Sequence, residues 1–287
     1  MRGLPFRLAV AAIFALLAAA GDAADVVRTS LWSNAMGRKI PISIVLPKGY
    51  AESGLRYPVV YALHGASGSN GQFLEKEFRP YVEDAVDRFG FIVALPDGAA
   101  DSWWFDSPVD PSCRFETHVW REVVPFVDRE YRTVAKRSGR AICGGSMGGH
   151  GAGWLGFRHK DVFGAVGIIM GGVDFRKFPD GWNIKKRLGS YDANPALWFE
   201  HTVLHAAETL KNGEVDLISI VGTNDFFTPG NRALHELLTT NGVEHTYIEV
   251  RGADLKHSSH DRAFAAPASR TVFAYFGRYF AEGKGGI

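Results

Sequence analysis

Residues 144–148, Gly-Gly-Ser-Met-Gly, constrain the fold of this chain more than any other stretch. They fit the pattern G-x-S-x-G, with small apolar residues before them and apolar residues at helical spacing over 149–157. A strand and a helix that meet this closely leave no room for side chains at 144 and 148. The stretch therefore predicts a strand, a strained turn that exposes the Ser146 hydroxyl, and a helix whose first N–H groups point at it.

A glycine-rich turn with an incidental serine would also fit these five residues. The apolar strand before the turn and the helical pattern after it favour a nucleophilic serine instead. A nucleophilic serine needs a base, an acid and donors for a developing oxyanion, so the rest of the chain can be searched for them.

Apolar runs alternate with helical patterns along most of the chain, which predicts the α/β class. Continuous apolar runs at 57–63, 91–95, 165–170 and 216–221 indicate strands covered on both faces, and a last strand is predicted at 245–250. Helices are predicted at 73–89, 115–131, 230–241 and 268–280. Alternating segments at 26–33 and 38–46 predict an antiparallel pair before a mostly parallel sheet with helices on both faces.

Residues 172–212 interrupt this alternation. They are rich in Trp, Lys, Asp and Pro and contain one predicted helix, at 194–210. Insertions of this kind fall at the carboxyl ends of the strands in an α/β sheet and often cap the pocket there. We predict a single domain over 24–287 that carries this insertion.

The first 23 residues have the pattern of a secretory signal peptide. Arg2 and Arg7 precede an apolar run over 8–20, and small residues over 18–24 offer cleavage sites. The run is shorter than the roughly 20 apolar residues that span a bilayer, so an uncleaved anchor is the less favoured alternative. We expect a secreted or periplasmic protein without membrane attachment after cleavage.

Composition excludes some functions. The chain has 287 residues and a formal net charge of +1, without the clustered Lys and Arg of a nucleic-acid-binding surface. The sequence has no Cys-x-x-Cys and no clustered His and Cys at metal-binding spacing, so we expect no metal and no organic cofactor. Cys113 and Cys143 fit either buried thiols or a disulfide, and the oligomeric state is left open.

The order serine, acid, histidine places the remaining members of a triad after Ser146. Asp225 follows the strand that ends near 221, where it would accept an imidazole N–H; the alternative is a turn or helix-capping aspartate. His257 and His260 both fall between the last strand and the last helix. The residues alone leave both histidines open as the base.

Two backbone N–H groups are candidates for the oxyanion hole. One belongs to Met147, directly after the serine, and the other to Ala66, in the loop after the strand at 57–63. His64 lies in the same loop and could compete as a base, but it precedes the serine. We therefore interpret His64 as a loop residue beside the substrate.

Taken together, these residues resemble the esterase D-type branch of the α/β hydrolases. This branch includes feruloyl and acetylxylan esterases, S-formylglutathione hydrolases, ferric-enterobactin esterases and mycolyltransferases. The resemblance lies in the runs at 59–65, 115–117, 122–128, 145–152 and 222–225, with Asn231-Arg232. It implies an α/β-hydrolase fold with Ser146 as nucleophile and Asp225 as acid. It also implies the N–H groups of Ala66 and Met147 as the oxyanion hole.

The base region departs from the usual pattern of this family, in which Gly-Gly-His precedes Asp or Ser and aromatic residues. His260-Asp261 followed by Phe264 matches that pattern and aligns apolar residues of the last helix with the apolar positions of the family. Starting from His257 would place Arg270 on the buried face of the helix. We therefore choose His260 as the base and keep His257 as the second choice.

The resulting hypothesis is an exported serine carboxylesterase that acts on esters linked to carbohydrate, of the feruloyl or acetyl type. Trp103 and Trp104 lie in a loop after a strand and could stack on a sugar or an aromatic acyl group, although a packed loop would use them as well. Glu116 matches a family position near the site, or caps a helix. The alternatives are an acyltransferase of the same fold and a catalytically silent carbohydrate-binding homologue.

Overall fold

An eight-stranded mixed sheet forms the centre of the computed structural model, which describes residues 24–251 and 259–283. The strands are β1 (Asp25–Ser33), β2 (Arg38–Leu46), β3 (Val59–Leu63), β4 (Ile92–Pro96), β5 (Arg140–Gly145), β6 (Ala165–Ile169), β7 (Asp216–Gly222) and β8 (Thr246–Val250). Their order is β1-β2-β4-β3-β5-β6-β7-β8. The pairs β1–β2 and β2–β4 are antiparallel and the other five are parallel. The predicted fold class is therefore confirmed.

Helices cover both faces of this sheet. They are α1 (Arg79–Phe89), α2 (Phe115–Thr117), α3 (Val124–Glu130), α4 (Met147–Arg158), α5 (Ile184–Leu188), α6 (Pro195–Glu200), α7 (Val203–Ala207), α8 (Thr228–Thr240) and α9 (Arg262–Glu282). A π-helical segment, His118–Val123, joins α2 to α3, and short 3-10 turns occupy Gln72–Leu74 and Arg137–Gly139.

The two faces of the sheet bury two separate cores because successive side chains of a strand point to opposite faces. Along β5, Ile142 packs into the core beneath α3, α4, α7 and α8, whereas Ala141 and Cys143 pack into the core beneath α1 and α9. Strands β3 and β4 are buried along their whole length. This burial on both faces explains why their sequences are continuously apolar rather than alternating.

The helices differ from the sequence prediction mainly at their ends. The helix predicted at 73–89 begins at Arg79, with Pro80 in its first turn, and ends at Gly90, whose φ is 64°. The helix predicted at 194–210 is split into α6 and α7, each with its own capping side chain, from Asn194 and Thr202. Helix α9 begins at Arg262, six residues before the predicted start, because Asp261 caps it by accepting the Phe264 N–H.

Both cysteines are buried free thiols, and burial raises the pKa of Cys113 to about 11. Cys113 and Cys143 therefore do not form a disulfide. Within residues 24–251 and 259–283, no helix is long and apolar enough to cross a membrane. The predicted signal peptide, residues 1–23, lies outside the described residues and stays a prediction.

Candidate active site

The turn between β5 and α4 holds Ser146 in a conformation that L-residues rarely adopt, with φ 58° and ψ −119°. A Cβ at Gly148 would lie 2.0 Å from the Leu63 carbonyl oxygen, and one at Gly144 would lie 2.4 Å from the Gly148 carbonyl oxygen. Neither contact is sterically possible. The predicted reason for glycine at these two positions is therefore confirmed.

His260 lies between Ser146 and Asp225. Its Nε2 is 2.8 Å from Ser146 Oγ, and its Nδ1 is 2.8 Å from Asp225 Oδ2. Because a carboxylate can only accept, the proton of a neutral imidazole sits on Nδ1, which leaves the Nε2 lone pair facing the serine hydroxyl. The structure thus brings together the predicted serine, acid and first-choice base; His257, the second choice, lies outside the described residues.

Asp225 is itself fixed by the backbone around it. Its side chain is buried, and its second oxygen, Oδ1, accepts the Phe227 N–H at 2.8 Å. Asp225 lies in the turn after β7, at the carboxyl edge of the sheet. Ser146 follows β5 at the same edge, because β5, β6 and β7 are parallel. The position of the acid therefore depends on the register of the parallel strands, as the prediction assumed.

The two predicted oxyanion donors lie on either side of Ser146. Met147 is the first residue of α4, so its N–H has no partner within the helix. The Ala66 loop packs against the turn, since a Cβ at Gly65 would lie 3.5 Å from the Ser146 Cβ. Gln72 holds this loop by accepting the Gly65 N–H at 2.8 Å. Within the described part of the chain, neither the Ala66 N–H nor the Met147 N–H donates a backbone hydrogen bond outside the helices.

His64 was expected beside the substrate, and the structure corrects this expectation. The side chain is buried, with Nδ1 donating to the Gly65 carbonyl at 2.8 Å and Nε2 accepting the Gly98 N–H at 2.8 Å. Burial lowers the pKa of His64, so the ring is neutral. Both ring nitrogens are occupied by backbone groups, so His64 ties two loops together and has no atom left for a substrate.

The sequence suggested that Trp103 and Trp104 stack on a ligand. This suggestion is wrong for both residues, because both rings are fully buried. The Trp104 ring fills the space above the glycine at 151, where a Cβ would lie 2.5 Å from the ring, and its Nε1 donates to the His64 carbonyl at 3.2 Å. Trp103 Nε1 donates to the Trp182 carbonyl at 3.3 Å. Both residues are internal supports of the loops around the site.

Glu116 is also not beside Ser146. Its carboxylate accepts from Trp154 Nε1 at 2.8 Å, Arg158 Nε at 2.9 Å and His159 Nε2 at 2.8 Å. Burial alone would raise the pKa of Glu116, but the hydrogen bonds from His159 and Arg158 outweigh it and lower the pKa to about 2. Glu116 lines a separate cavity of about 660 Å³ at the C-terminal end of α4, whereas Ser146 precedes the N-terminal end.

Phe226 adjoins His260, and Phe178 and Trp182 pack against Phe226; the sequence singled out none of these three residues. The Phe226 ring centroid is 4.3 Å from that of His260, and Trp182 stacks on Phe226 at 5.5 Å. The sequence did contain a signal for Phe226, because it directly follows the proposed acid. Trp182 and Phe178 belong to the insertion, whose path the sequence could not predict.

A family model described as "Putative esterase" matches residues 33–285. The chain belongs to this esterase family. An esterase of Mycobacterium tuberculosis is 32% identical over 123 residues, which cover 42% of this chain and 26% of that protein. An endo-1,4-beta-xylanase/feruloyl esterase of Xylanibacter ruminicola is 27% identical over 158 residues, covering 52% of this chain and 22% of that protein. The matched segments thus span about a quarter of the length of these two relatives.

The fold is shared with solved esterase structures. A ferulic acid esterase superposes with a TM-score of 0.74 at 24% identity, over 89% of this chain and 99% of the other. An S-formylglutathione hydrolase from Agrobacterium tumefaciens superposes with a TM-score of 0.74 at 16% identity, over 90% and 96%. At these identities the likeness establishes the α/β-hydrolase fold.

Proposed function

We propose that the protein is a serine carboxylesterase that works through an acyl-enzyme. The observation that carries the proposal is the continuous hydrogen-bonded chain from Ser146 Oγ through the His260 ring to the Asp225 carboxylate, with 2.8 Å at both contacts. A nucleophile, a base and an orienting acid in this geometry are the arrangement that activates a serine hydroxyl. Membership of the esterase family supports the same reaction.

In the first half of the reaction, the Ser146 oxygen attacks the ester carbonyl while His260 Nε2 takes the hydroxyl proton. Asp225 stabilises the imidazolium through its contact with Nδ1. The carbonyl oxygen becomes an oxyanion, and the N–H groups of Ala66 and Met147 stabilise it. His260 then gives the proton to the departing alkoxide, and the acyl group stays on Ser146.

In the second half, a water molecule takes the place of the alcohol. His260 accepts one of its protons, the resulting oxygen attacks the acyl carbon, and the same oxyanion hole stabilises the second tetrahedral intermediate. Collapse releases the carboxylic acid and returns the proton to Ser146. Donors of this type matter, since the loss of one oxyanion-hole hydrogen bond commonly slows catalysis by about 100-fold or more.

We propose esters attached to carbohydrate, of the feruloyl or acetyl type, as the substrates. Support comes from the xylanase/feruloyl esterase among the relatives and from the ferulic acid esterase among the structural neighbours. We also propose that the enzyme is exported through its N-terminal signal, residues 1–23, and acts as a secreted or periplasmic protein. N-terminal sequencing of the exported form would test this; an intact N-terminus would contradict it.

The experiment that tests the proposed function measures the hydrolysis of p-nitrophenyl acetate, p-nitrophenyl butyrate, methyl ferulate and acetylated xylan. Wild type is compared with Ser146→Ala, His260→Ala and His257→Ala. We expect the first two variants to lose activity and His257→Ala to keep it.

Other results would contradict parts of this proposal. Loss of activity in His257→Ala alone would transfer the role of base to His257. A wild type that cleaves no ester in the panel, while transferring the acyl group to an added sugar, would identify an acyltransferase. A wild type that neither cleaves nor transfers would indicate a catalytically silent homologue.

A further inference from the structure

The rings of Phe178, Trp182 and Phe226 form one contiguous surface, here called the aromatic surface. Phe178 lies 5.7 Å from Phe226 and 5.5 Å from Trp182, measured between ring centroids. Phe226 is 43% exposed and Phe178 and Trp182 are partly exposed. A lone exposed phenylalanine needs no explanation, but a cluster of exposed rings indicates a binding surface.

The aromatic surface adjoins the base rather than the oxyanion hole. Phe226 contacts the His260 ring, with ring centroids 4.3 Å apart, and the same ring makes the hydrogen bond to Ser146 Oγ, at 2.8 Å. In serine hydrolysis the histidine delivers its proton to the departing oxygen, so the leaving group must lie beside the imidazole. The aromatic surface is therefore placed to contact the alcohol half of the ester.

The backbone that presents Trp182 is strained and braced. Trp182 has a φ of 45°, which is unfavourable for a bulky residue, and Asn183, a residue type that tolerates the left-handed region, follows with a φ of 57°. Trp103 Nε1 donates to the Trp182 carbonyl at 3.3 Å, and Asn183 Nδ2 donates to Asp101 Oδ2 at 3.1 Å. Strained residues that are held in this way cluster at ligand sites. These hydrogen bonds hold the backbone, and the indole packs against the rings of Trp103, Phe178 and Phe227, so its position before binding lowers the entropy cost of binding.

A small cavity adjoins Ser146, and none of the three aromatic residues lines it. A cavity of about 50 Å³ lies between Ser146 and the start of α9; Gly65, Gln72, Phe78, Gly145, Ile169, Met170, Arg262 and Ala265 also line it. By the same measure of volume, a cavity that holds one water molecule has roughly 10–15 Å³. The cavity beside Ser146 therefore has room for a short acyl chain. A hydroxycinnamoyl group, with its ring and three-carbon linker, is larger than this cavity.

We propose that the enzyme prefers short-chain, acetyl-type esters of ring alcohols, with the acyl group in the small cavity and the ring of the alcohol stacked on the aromatic surface. The inference rests on the proposed function and selects acetyl over feruloyl esters within it. The bond between the acyl carbon and the ring alcohol breaks as the Ser146 ester forms, the alcohol leaves with the proton from His260, and water then releases acetate. Aryl alcohols and pyranoses both offer a flat face for this contact.

The alcohol side is tested with Phe226→Leu and Trp182→Leu, which keep an apolar side chain but remove the ring. Trp32→Leu is the control, because Trp32 is an exposed aromatic residue in β1. We expect kcat/KM for benzyl acetate and for acetylated methyl xyloside to fall about tenfold in the two test variants, through KM. The value for 2-methoxyethyl acetate, which has no ring, stays within about twofold of wild type in all three variants.

Two results on the alcohol side would overturn the proposal. An equal loss on all three esters would mean that the rings only support His260. No loss on either ring ester would mean that the aromatic surface does not contact the alcohol. If the pyranoside responds and the benzyl ester does not, or the reverse, the responding ester identifies the kind of ring and the proposal stands.

The acyl side is tested with acetyl, butyryl and feruloyl esters of one alcohol. We expect kcat/KM to fall at least tenfold from acetyl to butyryl and further to feruloyl. Met170→Ala, which enlarges the cavity, should raise the butyryl-to-acetyl ratio, whereas Met36→Ala, outside the cavity, should not. A wild type that prefers the feruloyl ester would overturn the proposal and leave the carboxylesterase function standing, whereas a wild type that cleaves none of the esters would overturn both.

Discussion

Two histidines near the site show how surroundings decide what one residue type can do. His64 has a backbone partner on each ring nitrogen, and its pKa is lowered by burial. His260 has a carboxylate on one nitrogen and the serine hydroxyl on the other, and its side chain is 16% exposed. Of these two histidines, only His260 lies between a carboxylate and a serine hydroxyl. His260, the proposed base, thus differs from His64 in the partners of its ring nitrogens.

Replacing Asp225 by Asn tests the role of the acid. An amide nitrogen donates where the carboxylate accepts, so His260 would take the wrong tautomer and lose its support as an imidazolium. We expect kcat to fall by about 10³–10⁴, as is typical for such a change in a serine hydrolase. Asp261→Asn is the matched control: it also neutralises a carboxylate in this region but preserves the cap of α9, so kcat should stay within a few-fold. Equal losses in both variants would contradict the assignment.

At this scale the sequence was sufficient where a residue's position follows from the end of a strand. Ser146, Asp225, Ala66 and Met147 each lie within three residues after a strand end, so the topology places them at one edge of the sheet. The roles of Trp103, Trp104, Glu116 and His64 depend on what packs over their side chains. Burial of this kind is a property of the tertiary structure, and loop sequence carries little information about it.

At the scale of the element, the close approach of α4 to β3 and β5 determines the geometry of the site. The helix begins directly after Ser146, and the glycines at 144 and 148 let its first turn contact the backbone of the neighbouring strands. This contact is made by main-chain atoms, which cannot move aside as a flexible side chain could. The position of Ser146 is therefore coupled to the packing of one helix against two strands.

Replacing Gly148 by Ala tests this coupling. The new Cβ would lie 2.0 Å from the Leu63 carbonyl oxygen, so strand or helix must shift. We expect the free energy of unfolding to fall by about 1–3 kcal/mol, as overpacking commonly costs, together with a loss of at least tenfold in kcat. Gly54→Ala is the control, since nothing lies within 4 Å of its Cβ. Urea unfolding and ester hydrolysis measure both effects; unchanged stability in Gly148→Ala would refute the coupling.

Strands were easier to predict than helices for a physical reason. The strands of the parallel part are buried on both faces, so an uninterrupted apolar run is itself the signal, and the observed ends of the strands at 91–95, 165–170 and 216–221 agree with the prediction to within one residue. The helices of the insertion are five or six residues long. Such short helices depend on capping and tertiary contacts more than on periodicity, and α5 was missed.

At the scale of the whole molecule, the fold keeps several histidines neutral. Burial lowers the pKa of His64, His118, His150 and His201, and that of His150 falls to about 4. His150 also lies between two carbonyl groups, since its Nδ1 is 2.8 Å from the Trp103 oxygen and its Nε2 is 2.8 Å from the His201 oxygen; the neutral ring donates to one of them. Unfolding releases all four rings into water, where each can take up a proton near its ordinary pKa of about 6.5.

We therefore expect stability to fall with pH below about 6.5. The unfolded state binds more protons than the folded state in this range, so the free energy of unfolding decreases as pH falls towards the folded pKa values. His150 alone would account for roughly 1–2 kcal/mol between pH 6.5 and pH 5, by the same linkage. Urea unfolding at pH 5, 6 and 7 measures the change. A free energy of unfolding that is constant between pH 5 and 6.5 would contradict neutral burial of these histidines.

Covalent labelling of Ser146 tests its role as the nucleophile most directly. A fluorophosphonate is added to the wild-type protein, and the modified peptide is located by mass spectrometry, with Ser146→Ala and Asp225→Asn treated in parallel. We expect one phosphonyl group, on Ser146, formed rapidly in wild type, far more slowly in Asp225→Asn and not at all in Ser146→Ala. A wild type that stays unmodified, or that is modified at another serine, would contradict Ser146 as the nucleophile.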